Sequence, residues 1–142
     1  MKRQIFYATV FLVLGTTSVS SQNSDDLVGA WEIHYLEHVL TAFNDTLYET
    51  EFVNPSVKIL TKKHFAFGHL TDNRESISAG GGEYSYNGKI YTEHIKYHTH
   101  TSAVGISIEF KSKLEGDKWT ILGMIPTDDG DVKTKEIWQR IE

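Results

Sequence analysis

The segment from Tyr84 to Tyr97 constrains the fold more than any other, because it predicts a β-hairpin. An Asn-Gly pair, Asn87-Gly88, separates two runs that are rich in tyrosine, threonine and isoleucine. This pair favours a type I′ turn, which needs a positive φ at both central residues. Successive side chains on a strand point to opposite faces, so the second arm of the hairpin presents two different surfaces.

The two surfaces of the second arm differ in polarity. One consists of Tyr91, Glu93, Ile95 and Tyr97, and the other of Thr92, His94, Lys96, His98 and His100. We expect the first set to point inward, because the set that carries a lysine makes the better solvent face. A carboxylate and two phenols would then lie inside a sheet or barrel, as a satisfied polar network or as part of a ligand site.

Short strands recur along the rest of the chain at intervals of about ten residues. The alternation of apolar and polar residues predicts strands over residues 27–33, 57–61, 64–70, 103–114, 119–125 and 132–141. Residues 40–51 fit either a short helix or a loop, and residues 71–82 fit a polar loop that ends in glycines. Many short strands joined by turns predict an all-β, antiparallel barrel or sandwich.

The first 21 residues have the three parts of a secretory signal peptide. Lys2 and Arg3 precede an apolar run over residues 5–14, and small residues follow as far as Ser21. That run is too short for a stable membrane-spanning helix. We therefore predict a signal peptide over residues 1–21, a single domain over residues 22–142, and a periplasmic or secreted protein without membrane insertion after cleavage.

The charge balance excludes one large class of partners. Without Lys2 and Arg3, the 14 basic residues fall to 12 against 19 acidic residues, a net charge of −7 with histidines neutral. Nucleic-acid binding needs a basic surface, so it is not expected. The chain has no cysteine, so the domain must be stable without disulfides. An anionic ligand would have to be held by a local positive charge.

Several short motifs together resemble a known family. They are Gly29-x-Trp31, Lys58, His64-Phe65, Gly82-x-Tyr84, Tyr91-x-Glu93-x-Ile95-x-Tyr97 and Glu136-x-Trp138-x-Arg140. The pattern resembles small lipocalin-like domains in secreted proteins of polysaccharide-degrading bacteria, a family that includes a dehydratase of ulvan oligosaccharides. The resemblance implies a lipocalin-like β-barrel. It also implies a lyase that removes water from the terminal uronic acid of an anionic oligosaccharide and leaves a 4,5-unsaturated end.

Dehydration of a uronic acid requires three kinds of group. A base removes the C5 proton, an acid protonates the C4 oxygen, and a cation or donor stabilises the carboxylate. The candidate catalytic residues are His69, Tyr91 and Tyr97, with His64 in reserve. The candidate substrate-binding residues are Lys58, Glu93, Arg140 and Tyr84.

Each of these assignments has a structural alternative. The tyrosines and Glu93 could form a buried network, His69 could be a core histidine, and Arg140 could stack on Trp31. His98-x-His100 places two imidazoles roughly 7 Å apart on one strand, a usable zinc spacing, but we expect a solvated face, no metal and no cofactor.

Two non-enzymatic functions also remain open at the level of sequence. One is a carrier of an apolar or aromatic small molecule, and the other is haem binding, for which His69 is the only inward candidate. A cavity lined by Glu93, His69 and Arg140 would favour sugar chemistry, whereas an aromatic-only lining would favour a carrier.

Overall fold

The computed structural model describes residues 22–43, 45–70 and 76–142. The predicted signal peptide lies outside these residues. The elements are a short helix α1 (Ser24–Leu27), a 3₁₀ turn (Thr101–Ala103) and nine strands: β1 (Gly29–Leu40), β2 (Asp45–Glu49), β3 (Val57–Leu60), β4 (His64–Leu70), β5 (Ile77–Tyr86), β6 (Ile90–His98), β7 (Ser107–Glu115), β8 (Lys118–Ile125) and β9 (Val132–Arg140). None of the helices in the described part of the chain is long and apolar enough to cross a membrane.

Eight of the strands close into an antiparallel barrel. The order is β1-β3-β4-β5-β6-β7-β8-β9, and β9 pairs back along β1. The edge of β1 that does not pair with β9 has two neighbouring strands. Residues 29–32 pair with β3, and residues 36–40 pair with β2. The prediction of an all-β antiparallel barrel is therefore confirmed.

The hairpin between β5 and β6 is confirmed, with Tyr86 opposite Tyr91. Gly88 has a φ of +88°, a conformation that glycine adopts without steric cost. The side-chain oxygen of Asn87 accepts hydrogen bonds from the backbone N–H groups of Lys89 and Ile90, at 3.0 and 2.8 Å. The asparagine therefore orders the turn through its side chain.

Two segments differ from the sequence-based expectation. Residues 40–51, predicted as a helix or loop, contain the end of β1 and the strand β2. Residues 77–82, predicted as the end of a loop, form the first half of β5. The glycines belong to the sheet because neighbouring backbones approach closely there, and a Cβ at Gly82 would overlap the carbonyl oxygen of His94.

Extra residues in β1 and β6 change which side chains face inward. The pairing of β1 with β9 shifts register between Ile33 and Tyr35, so His34 is an inserted residue. The pairing of β5 with β6 shifts in the same way, and Lys96 is the inserted residue. Such β-bulges reverse the inward and outward alternation for the residues that follow.

Large apolar side chains fill one end of the barrel. Trp31 and Trp119 are fully buried, with ring centroids 5.4 Å apart. Residues 22–28 cover this end, since Leu27 is fully buried and its carbonyl accepts the Trp31 Nε1–H at 2.9 Å. Among the described residues, the interior space for a ligand lies towards the opposite end of the barrel.

Arg140 links the covering segment, residues 22–28, to the barrel. Its guanidinium carbon lies 4.1 Å from the centroid of the Trp31 ring. Its two terminal nitrogens donate to the carbonyl oxygens of Val28 and Asp26, each at 2.6 Å. The structural alternative for Arg140, stacking on Trp31, is therefore confirmed. The side chain lies at the filled end and is not part of the cavity lining.

Candidate ligand-binding site

A cavity of about 300 Å³ occupies the open end of the barrel. Its walls are mostly aliphatic and aromatic, and its polar groups come from seven different strands and one loop. The apolar lining residues are Ile33, Leu36, Phe52, Phe67, Ile95, Ala103, Ile106, Ile108, Phe110, Ile125, Pro126 and Trp138. The polar lining residues are His38, Glu49, Ser56, Lys58, His69, Ser78, Glu93, His98 and Glu136.

A buried ion pair forms part of the lining. The Lys58 ammonium lies 2.7 Å from Glu93 Oε1, and both side chains are almost completely excluded from solvent. The hydroxyl of Tyr91 donates to the same oxygen at 2.9 Å. Burial, followed by the neighbouring Glu93 carboxylate, raises the pKa of Tyr91 well above 10. Tyr91 therefore stays protonated, and its hydroxyl is engaged in this network.

Aromatic rings surround the Lys58 ammonium. The ring centroid of Trp138 lies 4.9 Å from the nitrogen, and those of Tyr91, Trp119 and Phe65 lie at 5.6, 5.7 and 6.0 Å. Cations are attracted to the faces of such rings. The barrel interior thus stabilises an ammonium by combining one carboxylate with several aromatic side chains.

Three histidines contribute to the cavity wall. His69 Nδ1 lies 3.0 Å from the hydroxyl oxygen of Ser56. His98 Nδ1 accepts a hydrogen bond from the backbone N–H of His100 at 2.9 Å, so the neutral ring of His98 carries its proton on Nε2. His38 reaches the cavity from the second half of β1.

The electrostatic environment keeps two of these histidines neutral. Burial lowers the pKa of His38 below 6.5, and the Glu136 carboxylate partly offsets this effect. Desolvation, followed by the proximity of His100, lowers the pKa of His98. Neutral imidazoles can both donate and accept hydrogen bonds at neutral pH.

Glu136 is the second carboxylate of interest in the cavity. Its Oε2 accepts the Trp138 Nε1–H at 2.8 Å, and its Oε1 lies 3.4 Å from the Thr134 hydroxyl. Within the described ranges, no lysine, arginine or histidine lies within ion-pair distance of this carboxylate. A carboxylate offers about four acceptor positions, so Glu136 retains capacity for a ligand.

The structure brings together some of the predicted site residues. His69, Lys58 and Glu93 line the cavity, and Tyr91 lies behind Glu93. The inward orientation predicted for Tyr91, Glu93 and Ile95 is confirmed, because all three are buried.

Tyr97 and His98 are the main errors in the predicted face. Tyr97 is 75% exposed, whereas His98 lines the cavity. The inserted residue Lys96 reverses the alternation after Ile95, so Tyr97 turns outward and His98 turns inward. Tyr97 is therefore not a cavity residue, and the assignment of His98 to a solvated face is wrong.

Two further candidates lie away from the cavity. His64 is exposed on the outside of β4, opposite Glu83 of β5. Tyr84 is buried near the filled end, where its hydroxyl donates to the carbonyl oxygen of Thr61 at 2.7 Å. Burial raises the pKa of Tyr84 to about 12, which suits a permanent hydrogen-bond donor. Both residues lie outside the site.

Sequence reasoning missed six polar residues of the cavity: His38, Glu49, Ser56, Ser78, His98 and Glu136. His38 and His98 follow inserted residues, and no compositional signal marks such an insertion. Glu136 belongs to the Glu136-x-Trp138-x-Arg140 motif, but no role was predicted for it. The Glu-x-Trp pair on β9 could have identified it, since residues two apart on a strand lie on the same side.

Metal-ligating residues are not grouped in the described structure. No set of three or more histidine, aspartate or glutamate side chains in residues 22–43, 45–70 and 76–142 is arranged to hold an ion.

Comparison with known proteins supports the fold and identifies the family. A crystal structure of a lipocalin-like protein from Bacteroides uniformis ATCC 8492, at 1.79 Å resolution, is similar over 82% of this chain and 99% of that chain, with a TM-score of 0.51 and 17% sequence identity. This likeness confirms the predicted lipocalin-like fold. A search of curated proteins gives no match. The model of DUF4488, a domain of unknown function, matches residues 26–142, and the chain therefore belongs to the DUF4488 family.

Proposed function

We propose that this protein binds a small, largely apolar molecule inside its barrel. The observation that carries this proposal is the cavity of about 300 Å³, whose walls are mostly aliphatic and aromatic with a few polar groups. Ligand sites typically have this composition, and 300 Å³ is at the lower end of their size range. A molecule of up to three rings fits such a space.

A neutral fluorescent probe tests the binding function. N-phenyl-1-naphthylamine is uncharged at neutral pH and becomes more fluorescent in apolar surroundings. We expect saturable binding with one site per chain. In Ile106→Trp, the added ring would fill the cavity, so probe binding should be lost. The matched control is Ile59→Trp on the exposed side of β3, which should bind like the unmodified protein.

A melting curve for each variant separates a blocked cavity from an unfolded chain. Overfilling an interior typically costs about 1–3 kcal/mol, so Ile106→Trp could lower the melting temperature. Ala103→Trp, on the 3₁₀ turn beside the cavity, blocks the same space with less strain. Non-saturable probe fluorescence, or equal binding by the filled variants and the control, would refute the proposal.

A second candidate is the dehydratase of terminal uronic acids that the sequence motifs suggest. The supporting observation is that His69 and Glu93 line one cavity together with two further imidazoles whose pKa values are lowered. A neutral imidazole is the form that can accept the C5 proton. Two features weaken this candidate, since Arg140 lies elsewhere and Lys58 is already paired with Glu93.

An absorbance assay tests the dehydratase directly. Uronic-acid-terminated oligosaccharides would gain a conjugated alkene, which absorbs in the ultraviolet. If the reaction occurs, His69→Ala should reduce turnover by about 10²–10⁴-fold while the protein remains folded. The exposed His64 provides the control, because His64→Ala should leave turnover unchanged. An absence of absorbance change in the unmodified protein would exclude this substrate class.

A further inference from the structure

The charges around the cavity are unevenly balanced. Three carboxylates, those of Glu49, Glu93 and Glu136, line it together with one ammonium, that of Lys58. The described lining therefore has a net charge of −2 when the histidines are neutral. Because Lys58 and Glu93 are in direct contact, they largely cancel each other. The remaining field acting on a ligand comes from Glu49 and Glu136.

The buried lysine shows how this barrel accommodates a cation. Lys58 is held by one carboxylate and by the faces of aromatic rings, including that of Trp138. Glu136 repeats part of this arrangement within the cavity, because its carboxylate is hydrogen-bonded to the Trp138 indole. Phe67 and Phe110 add aromatic walls to the same space.

We infer that the cavity takes a small organic cation, a primary amine on an apolar or aromatic body, whose ammonium pairs with Glu136. This inference rests on the proposed binding function and names its ligand class. Charge-assisted hydrogen bonds to a carboxylate are about twice as strong as neutral ones, and partial burial reduces screening by salt. Neutral His38 can accept a second hydrogen bond from the ammonium.

The same charges disfavour an anionic ligand. A carboxylate entering the cavity would lose its hydration and meet the like charges of Glu49 and Glu136. The only ammonium of the described lining already has a carboxylate partner. Burying a charge without an opposite charge is costly. The geometry thus favours a positive ligand over a neutral one, and a neutral one over a negative one.

Three compounds with similar bodies and different charges test the sign of the ligand. They are 2-phenylethylamine, 2-phenylethanol and phenylacetate, with binding measured by isothermal titration calorimetry near neutral pH. We expect the amine to bind at least about tenfold more tightly than the alcohol, and phenylacetate to bind more weakly than either. This comparison needs no variant, so it does not depend on the folding of a mutant.

Two variants then test the named residue. Glu136→Gln removes the charge but keeps an oxygen that can accept the Trp138 N–H, so folding should be retained. It should weaken amine binding at least about tenfold and change alcohol binding less than about twofold. Glu109→Gln, on the exposed face of β7, is the matched control and should change neither.

The outcomes separate this inference from the proposed function. Equal affinity for the three compounds, a preference for phenylacetate, or unchanged amine binding in Glu136→Gln would overturn the inference and leave the binding function standing. Binding of the neutral naphthylamine probe without binding of 2-phenylethylamine would also overturn the inference and leave the binding function standing. If neither the probe nor the three compounds bind, the proposed function itself fails.

Discussion

Removing the Lys58 ammonium should destabilise the protein far more than removing an exposed lysine. In Lys58→Met, Glu93 would keep the Tyr91 hydroxyl but lose its counter-charge. Both charged side chains are only 5% and 6% exposed, so water can compensate little. Leaving one member of a buried pair uncompensated costs about 3–5 kcal/mol. This is a large part of a typical total stability of about 5–15 kcal/mol.

Urea unfolding near neutral pH measures this loss. Slopes of about 1–3 kcal/mol per molar urea convert a loss of about 4 kcal/mol into a midpoint lower by about 1–4 M. The control is Lys113→Met, because Lys113 also contacts a glutamate, Glu115, at 2.8 Å but with 70% and 52% exposure. Exposed pairs contribute about 0–1 kcal/mol, so this midpoint should barely move.

A double variant identifies the cause of the loss. Lys58→Met combined with Glu93→Gln removes both charges and keeps an oxygen that accepts the Tyr91 hydroxyl. Replacing a buried pair by neutral groups is often neutral or stabilising, so the double variant should recover most of the stability. A loss in Lys58→Met no larger than in Lys113→Met, or a double variant no more stable than the single one, would refute this reasoning.

Three further predictions concern pH, backbone packing and the filled end. Because burial lowers the pKa of His38 below 6.5, the unfolded chain binds more protons there as the pH falls below 6.5, and stability should decrease in that range. His38→Gln should weaken this decrease in melting temperature, and an unchanged pH profile would contradict the assignment. Gly82→Ala should lower the free energy of unfolding by about 1–3 kcal/mol, because its Cβ would overlap the His94 carbonyl. Gly68→Ala, with open space around it, should change the free energy of unfolding by less than about 1 kcal/mol. Equal melting temperatures for the two variants would show that the sheet relaxes around the added methyl group. Arg140→Gln should lose about 2 kcal/mol or more in urea unfolding, because hydrogen bonds from a charged donor contribute about 1.5–3 kcal/mol each, and a loss below about 0.5 kcal/mol would mean that the covering segment holds without it.

Periodicity was sufficient to predict most of the barrel. The strands β3, β4, β8 and β9 and the hairpin at Gly88 follow from alternating apolar residues and turn residues, which are local signals. The inward face of β6 was correct as far as Ile95 for the same reason. The glycines before Tyr84 were misassigned to a loop, because their role depends on how closely two neighbouring strands approach.

The candidate site was predictable only in part. Lys58, Glu93 and His69 precede or lie outside the insertions, so simple alternation placed them in the cavity. Arg140 shares a face with Glu136, and alternation alone cannot tell the filled end from the open end. That distinction depends on residues 22–28 covering one end of the barrel, which is a long-range contact without a local signature.

The two inserted residues have a consequence for how ligand preference can change. Strands β1 and β6 lie on opposite sides of the closed barrel, with three strands between them in either direction. Deleting Lys96 would place Tyr97 directly after Ile95 on the outward face and keep His98 on the inward face, because only the extra residue would be lost. Deleting His34 would likewise preserve the lining contributed by the end of β1. A bulge therefore absorbs a gained or lost residue without changing which side chains reach the ligand. In this barrel, strand length can vary at these two places while ligand preference changes through substitution of the lining residues.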